Sequence, residues 1–214
     1  MNEPIVITID GASASGKSTN AKLIAKRLGY VYVDTGAMYR TLAWQCMEKN
    51  VDPQDESAVG ELCQKWNTAL VFENGYVRLH VDGVCPEAEI RTAEISAVVS
   101  HIAAVPIVRD WMKARQRECV QFGNLVMEGR DIGSNIFPES EFKFYLDASP
   151  EERQARRAAD GVKEDLVERD RRDSTRIAAP LVIPDGAVLI NNSGETPEET
   201  SSRIIAEVER QMNI

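Results

Sequence analysis

The sequence predicts an α/β fold built on a five-stranded parallel sheet with helices on both faces. Three observations point there. A strand, a glycine-rich loop and a helix follow one another directly between Ile5 and Gly29. Four further short apolar runs, most of them separated by helical patterns, repeat the alternation of a parallel sheet. The runs end in polar residues: Asp10, Asp34, Glu128 and Asp147 close four of them, and the fifth leads into Asn191. The carboxyl ends of strands are where open α/β sheets bind ligands.

The elements follow in order. Ile5 to Ile9 is apolar and β-branched, the mark of a buried strand. Gly11-Ala12-Ser13-Ala14-Ser15-Gly16-Lys17-Ser18 has the spacing G-x-x-x-x-G-K-[ST] of a phosphate-binding loop, and Thr19 continues it. Glycines permit positive φ and let backbone N–H groups turn inward around a phosphate. Lys17 is a compact cation able to reach β- and γ-phosphates, and Ser18 offers a hydroxyl to Mg²⁺. Ala21, Ile24, Ala25 and Leu28 recur at helical spacing, and Gly29 supplies the stop. Tyr30 to Val33 is the second strand. Ala69 to Phe72 and Tyr76 to Val81, joined through Asn74-Gly75, form a β-hairpin, followed by a helical stretch near Ala93 to Val108. Leu125 to Met127, Phe142 to Leu146 and Ala187 to Ile190 are the remaining strands. Thr196-Pro197-Glu198-Glu199 is a capping box with Pro at the first helical position, and Ile204, Ile205, Val208 and Met212 form the apolar stripe of a final helix.

Composition sets limits. At 214 residues the chain is one large domain or a core with small insertions. The expected division is a core of 1–62, 104–152 and 177–214, a β-containing insertion at about 63–103, and a short helical lid at about 153–176. A formal net charge of −9 argues against nucleic acid as a partner. It also requires any site for anionic nucleotides to gather its arginines locally. Cys46, Cys63, Cys85 and Cys119 lack C-x-x-C spacing, and with only His80 and His101 beside them they read as reduced thiols rather than a zinc site. Neither a signal peptide nor a membrane-length apolar run is visible, so the expectation is a cytoplasmic protein without a membrane partner, and a monomer.

The arginines do gather. Arg40 lies one to two turns into the helix that follows Asp34-Thr35-Gly36-Ala37-Met38-Tyr39, whose N-terminus offers free N–H groups to an anion; its guanidinium suits a bidentate phosphate contact. Glu128 ends the third strand, where an acid can orient Mg²⁺ through water. Gly129-Arg130-Asp131-Ile132-Gly133 follows, with glycines that allow close ligand approach. Behind the cap Ser149-Pro150-Glu151-Glu152, Arg153, Arg156 and Arg157 share one helix face; Arg169, Arg172, Asp173 and Arg176 share another. Asp160-Gly161 marks the turn between them, and Glu164, Asp165 and Glu168 supply local acids. Two such helices would make a lid that closes over phosphates and excludes water. No N-K-x-D tetrapeptide is present, which weakens a GTPase reading.

Together the phosphate loop, Asp34 to Arg40, Gly129 to Gly133 and the Glu168 to Arg176 arginine helix resemble the bacterial cytidylate kinases, in order and spacing along nearly the whole chain. Ile90-Arg91-Thr92 and Ser100 to Arg109 match as well. The lid between Arg157 and Glu168 is shorter than in long-lid members; Ala12 stands where the family often has Pro, and Thr35 where it often has Ser. The resemblance implies transfer of the ATP γ-phosphate to CMP or dCMP. It implies catalytic roles for Lys17, Arg130, Arg176 and Arg153, and an ATP site of Gly11 to Thr19 with Arg157. It places Ser100, Arg109 and Asp131 at cytosine, Arg40, Arg130 and Arg176 on the CMP phosphate, and Arg169 with Asp173 near the sugar; Thr35 and Tyr39 join that site. Mg²⁺ would be held by Ser18 and, through water, Glu128. Two rivals remain: a kinase of the same core acting on UMP, AMP or a non-nucleotide acceptor, and a regulatory module that binds ATP without transfer.

Overall fold

The structure is a computed structural model that describes residues 3–159, 166–176 and 179–213. Its sheet contains seven strands, not five. β1 (Val6–Gly11), β2 (Val31–Asp34), β3 (Thr68–Glu73), β4 (Tyr76–Val81), β5 (Leu125–Glu128), β6 (Phe142–Asp147) and β7 (Val188–Asn191) lie in the order β3-β4-β2-β5-β1-β6-β7. The five predicted parallel strands are all present. The two extra strands are the predicted hairpin, which continues the sheet. β4 runs parallel to β2, with Tyr32 opposite Tyr76 and Val33 opposite Val77, and β3 closes the edge antiparallel. The Tyr32 and Tyr76 rings meet edge to face at 5.3 Å, which anchors the hairpin on β2.

Strand order explains where a site can form. β1 sits between β5 and β6, so the loop after β1 emerges at the centre of the sheet. β1 is buried along its whole length and β5 likewise, as an apolar parallel strand covered on both faces requires. α1 (Lys17–Leu28) and α8 (Pro197–Met212) pack together on one face, over Ile7, Ile9, Phe144 and Leu146. The other face carries α2 (Thr35–Glu48), α3 (Glu56–Lys65), α4 (Ala93–Ile102) and α5 (Pro106–Glu118), over Val33, Leu125 and Met127.

Caps set the helix ends. Gly29 takes φ 68° after α1, and its N–H returns to Ala25 O. The Thr196–Glu199 capping box of α8 is complete on both sides. The helical stretch expected near Ala93 to Val108 is two helices. Pro106 has no N–H to continue α4 and sits instead at the start of α5. α3 was not anticipated; Asp55 caps it by accepting from the Ala58 N–H at 3.0 Å. The helices expected to form the lid are α6 (Pro150–Ala159), capped by Ser149 Oγ on the Glu152 N–H at 3.2 Å, and α7 (Leu166–Thr175). The Asp160-Gly161 turn and the acids Glu164 and Asp165 lie outside the described residues.

Candidate active site

The phosphate-binding loop is fixed from below by the sheet. Gly11 adopts φ 148°, and a Cβ there would stand 2.2 Å from the Leu146 carbonyl oxygen of β6. Gly16 turns into α1 at φ 90°, with Asn192, Asn20 and Arg156 nitrogens all within 3.4 Å of where its Cβ would be. Ala14 takes φ 59° without glycine's freedom. Asn192 props the loop from the end of β7: its amide donates to Ser15 O at 3.0 Å, and its own oxygens receive Arg156 at 3.2 and 3.1 Å.

Lys17 is buried and folds back across its own loop, donating to Ala12 O and, at 3.4 Å, to Ser15 Oγ. Burial and the neighbouring Arg130 charge lower its pKa. Ser18 Oγ donates to Glu128 Oε1, which also accepts from Tyr32 OH at 3.1 Å. Burial and then Asp34 raise the Glu128 pKa. A hydroxyl and a carboxylate thus meet at the mouth of the loop, beside Lys17.

Two cavities share a wall here. The larger, about 560 Å³, is lined by Ser13, Ala14, Gly16, Lys17, Ser18 and Thr19 of the loop, with Arg156, Arg157, Arg169 and Asn192. Gly11, Ala12 and Ser15 stand behind it as scaffold. The smaller, about 70 Å³, is lined by every residue expected at the second nucleotide: Thr35, Tyr39, Arg40, Ser100, Arg109, Arg130, Asp131, Arg169, Asp173 and Arg176. The common wall is Gly36, Arg40, Glu128, Arg130 and Arg169.

The second cavity has a polar floor with its hydrogen bonds already arranged. Arg109 pairs with Asp131, donates to Ala103 O at 3.1 Å, and lies 5.8 Å from the Tyr39 ring centre. Tyr39 also packs in the apolar core, and burial pushes its phenol up to about 12. Asn135 adds a hydrogen bond to Asp131 at 3.0 Å. Asp10, at the end of β1, accepts from the Ile132 and Gly133 N–H groups at 2.8 and 2.7 Å and so fixes the turn that presents Asp131. Burial raises the Asp10 carboxyl to about 7, against those two hydrogen bonds.

Above the floor, Asp173 sits between two guanidiniums, accepting from Arg130 at 2.9 Å and from Arg176. Burial opposes its charge, yet Arg130 and Arg176 hold the carboxyl below its usual range. Arg40 donates to Ser96 Oγ at 2.8 Å; burial, then Arg169 and Arg91, lower it to about 10. Arg91 pairs with Asp34 at 3.1 Å. Arg153 is not among the residues lining the larger cavity. It donates to Ser13 O at 3.1 Å and pairs with Asp170, whose other oxygen accepts the Ser13 N–H at 3.3 Å.

The model of the family described as cytidylate kinase matches residues 7–210. The chain belongs to the cytidylate kinase family. It is 42% identical to the cytidylate kinase of Geobacillus thermodenitrificans, covering 96% of each chain. It is 39% identical to that of Caldanaerobacter subterraneus subsp. tengcongensis, over 95% of this chain and 94% of the relative. Among solved structures, TT1252 from Thermus thermophilus is similar in fold, with a TM-score of 0.51 at 19% identity over 98% of both chains.

Among the residues that brace these cavities, sequence reading missed Asn192, Asp10 and Asp170. Asn192 lies one residue beyond the polar strand end it noted. Asp10 was noted as a strand end but given no partner. Asp170 interrupts the arginine face and carried no signal of its own.

Proposed function

We propose that this chain transfers the γ-phosphoryl group of ATP to CMP or dCMP, giving ADP and CDP or dCDP. The wall shared by the two cavities carries the reading. Arg40, Arg130 and Arg169 stand between the phosphate loop and the base-sized pocket, where a donor γ-phosphate and an acceptor phosphate would meet. A module that only held ATP would have no use for that second cluster.

The chemistry needs positioning more than covalent work. An oxygen of the CMP phosphate attacks the γ-phosphorus as the bond to the ADP oxygen breaks. Lys17 leaves its carbonyl for the β- and γ-phosphates, and Arg130 and Arg176 neutralise the acceptor phosphate beside Arg40. Arg153, Arg156 and Arg157 serve the ATP phosphates from the lid at 153–176, Arg169 and Asp173 the ribose. The insertion at 63–103 covers the CMP. At the base, Asp131 accepts from the cytosine amino group and Arg109 donates to N3 and O2. Uracil would set an acceptor against Asp131 and leave buried groups unpaired.

The pair Ser18 and Glu128 fits Mg²⁺. Among the described residues no three His, Cys, Asp or Glu side chains cluster, and Mg²⁺ bound with phosphates asks for only one or two protein ligands and keeps its waters. When bound, the ion adds positive charge across the phosphate oxygens. Among the described residues no single helix is long and apolar enough to cross a membrane; we place the enzyme in the cytoplasm as a monomer, with free thiols at Cys46, Cys63, Cys85 and Cys119.

A coupled ADP-release assay across CMP, dCMP, UMP, AMP and GMP tests the reading. Fast turnover with CMP or dCMP alone is expected. Equal rates with UMP defeat the cytosine assignment, and absence of transfer to any acceptor leaves the binding module.

A further inference from the structure

One member of the arginine face has no role in the transfer just described. Arg172 lies on α7, between Arg169 and Arg176 in the chain, but its guanidinium reaches neither phosphate region. It donates instead to Ser100 Oγ of α4 at 2.8 Å. On its other side Glu168 Oε1 lies 3.6 Å from its Nε. Ser100 is itself buried and lines the small cavity beside Asp131 and Arg109.

A serine hydroxyl is a free rotor with one hydrogen and two lone pairs. A hydroxyl at the edge of a base site reads its ligand well only if that rotor is held. Arg172 is a donor without acceptor capacity, so it fills one lone pair of Ser100 and leaves the hydrogen and the other lone pair for the pocket. The bond is charge-assisted and joins the lid helix to the insertion helix.

We propose that Arg172 is a positioning residue for base recognition: it orients the Ser100 hydroxyl toward the bound cytosine. This rests on the placement of CMP in the small cavity. Because Arg172 acts through Ser100, its removal should raise the KM for CMP and spare the KM for ATP.

The test is a double-mutant cycle with steady-state kinetics for CMP, UMP and ATP in wild type, Arg172→Met, Ser100→Ala and the pair. Met keeps the aliphatic stem and removes the donors. Arg172→Met should raise the CMP KM about tenfold, the scale of one hydrogen bond to a charged group, and narrow the preference for CMP over UMP. The ATP KM should stay as in wild type. The double variant should be no worse than Ser100→Ala, and Arg172→Lys should restore part of the loss. An unchanged CMP KM in Arg172→Met, with a raised one in Ser100→Ala, overturns the role of Arg172 and leaves the CMP site standing. Additive losses in the double variant, or a parallel rise in the ATP KM, overturn it as well, since Arg172 would then act on the lid rather than through Ser100. A CMP KM untouched by Ser100→Ala removes Ser100 from the base site and the inference with it.

Discussion

The phosphate-loop segment and the two arginine helices proposed as a lid are built by opposite means. The loop is backbone architecture: Gly11 lies so close to Leu146 that no other residue fits, and Asn192 and the buried strand β1 support it from below. The lid is side-chain charge on helices with little core. α6 buries none of its residues and α7 buries only Leu166 and Asp173. Asp170 holds Arg153, and Asp173 holds Arg176 together with Arg130 of the turn after β5. One region is preformed by packing. The other is assembled from ion pairs, whose acidic partners a phosphate would replace on the proposed reading. A rigid cradle and an exchangeable clamp suit a transferase that must close over its substrates and open again.

The largest effect should come from the cradle. Lys17→Ala keeps the glycine geometry and removes the cation. We expect kcat to fall by about 10³, with the thermal midpoint unchanged or raised because a buried charge is gone. Wild-type turnover in an ADP-release assay would sink the assignment.

The clamp should answer mainly in stability. Asp173→Asn leaves Arg130 and Arg176 facing each other without their carboxylate, and breaking such a buried pair costs about 3 kcal/mol. The Asp173 carboxyl is held below its usual range, so its contribution is present above the unfolded carboxylate value and is lost as the pH falls through the folded one. The gap between wild type and variant should therefore narrow in acid, below pH about 4. CMP should raise the thermal midpoint of the variant more than that of wild type, because its phosphate brings back negative charge between the guanidiniums. A gap that persists unchanged in acid would mean that Asp173 supports the fold by shape and not by charge.

The two regions also differ in how far the sequence discloses them. The loop was legible because its chemistry is contiguous: the spacing from Gly11 to Ser18 carries both turn geometry and cation. The five parallel strands were legible from apolar runs. That the hairpin would join the same sheet was not, because the pairing of Tyr32 with Tyr76 is a contact between distant segments. That Ser100, Arg109 and Asp131 would line one cavity was legible only through resemblance, since they come from three separate elements. Asp10 and Asp170 went unassigned for the same reason: an acid's partner, here the Gly133 or the Ser13 N–H, is set by the fold and not by its neighbours in the chain.

A pH experiment sharpens the comparison at the cradle. Burial and Arg130 lower the Lys17 ammonium to about 7, so above that pH the free enzyme holds it largely neutral. The phosphates of ATP favour the charged form. ATP binding at pH 8.5 should then take up about one proton, and apparent ATP affinity should fall by up to about tenfold per pH unit above 7. Calorimetric titrations in two buffers of different ionisation enthalpy measure the uptake. It should vanish in Lys17→Met; uptake that survives there assigns the proton to another group.

The smallest effect is expected where clamp and cradle touch. Asp170 of α7 takes the Ser13 N–H of the loop and pairs with Arg153, whose guanidinium also holds Ser13 O. Asp170 thus takes up a loop N–H and the Arg153 guanidinium, groups that ATP phosphates would use on the proposed reading. Both side chains are partly exposed, so the pair is worth only about 1 kcal/mol. Asp170→Asn should accordingly lower the KM for ATP by about fivefold or less, with the KM for CMP unchanged. A higher KM for ATP would reverse the reading: Asp170 would then be the strut that aims Arg153 at the phosphates, and the clamp would owe its geometry to the acid rather than yield by losing it.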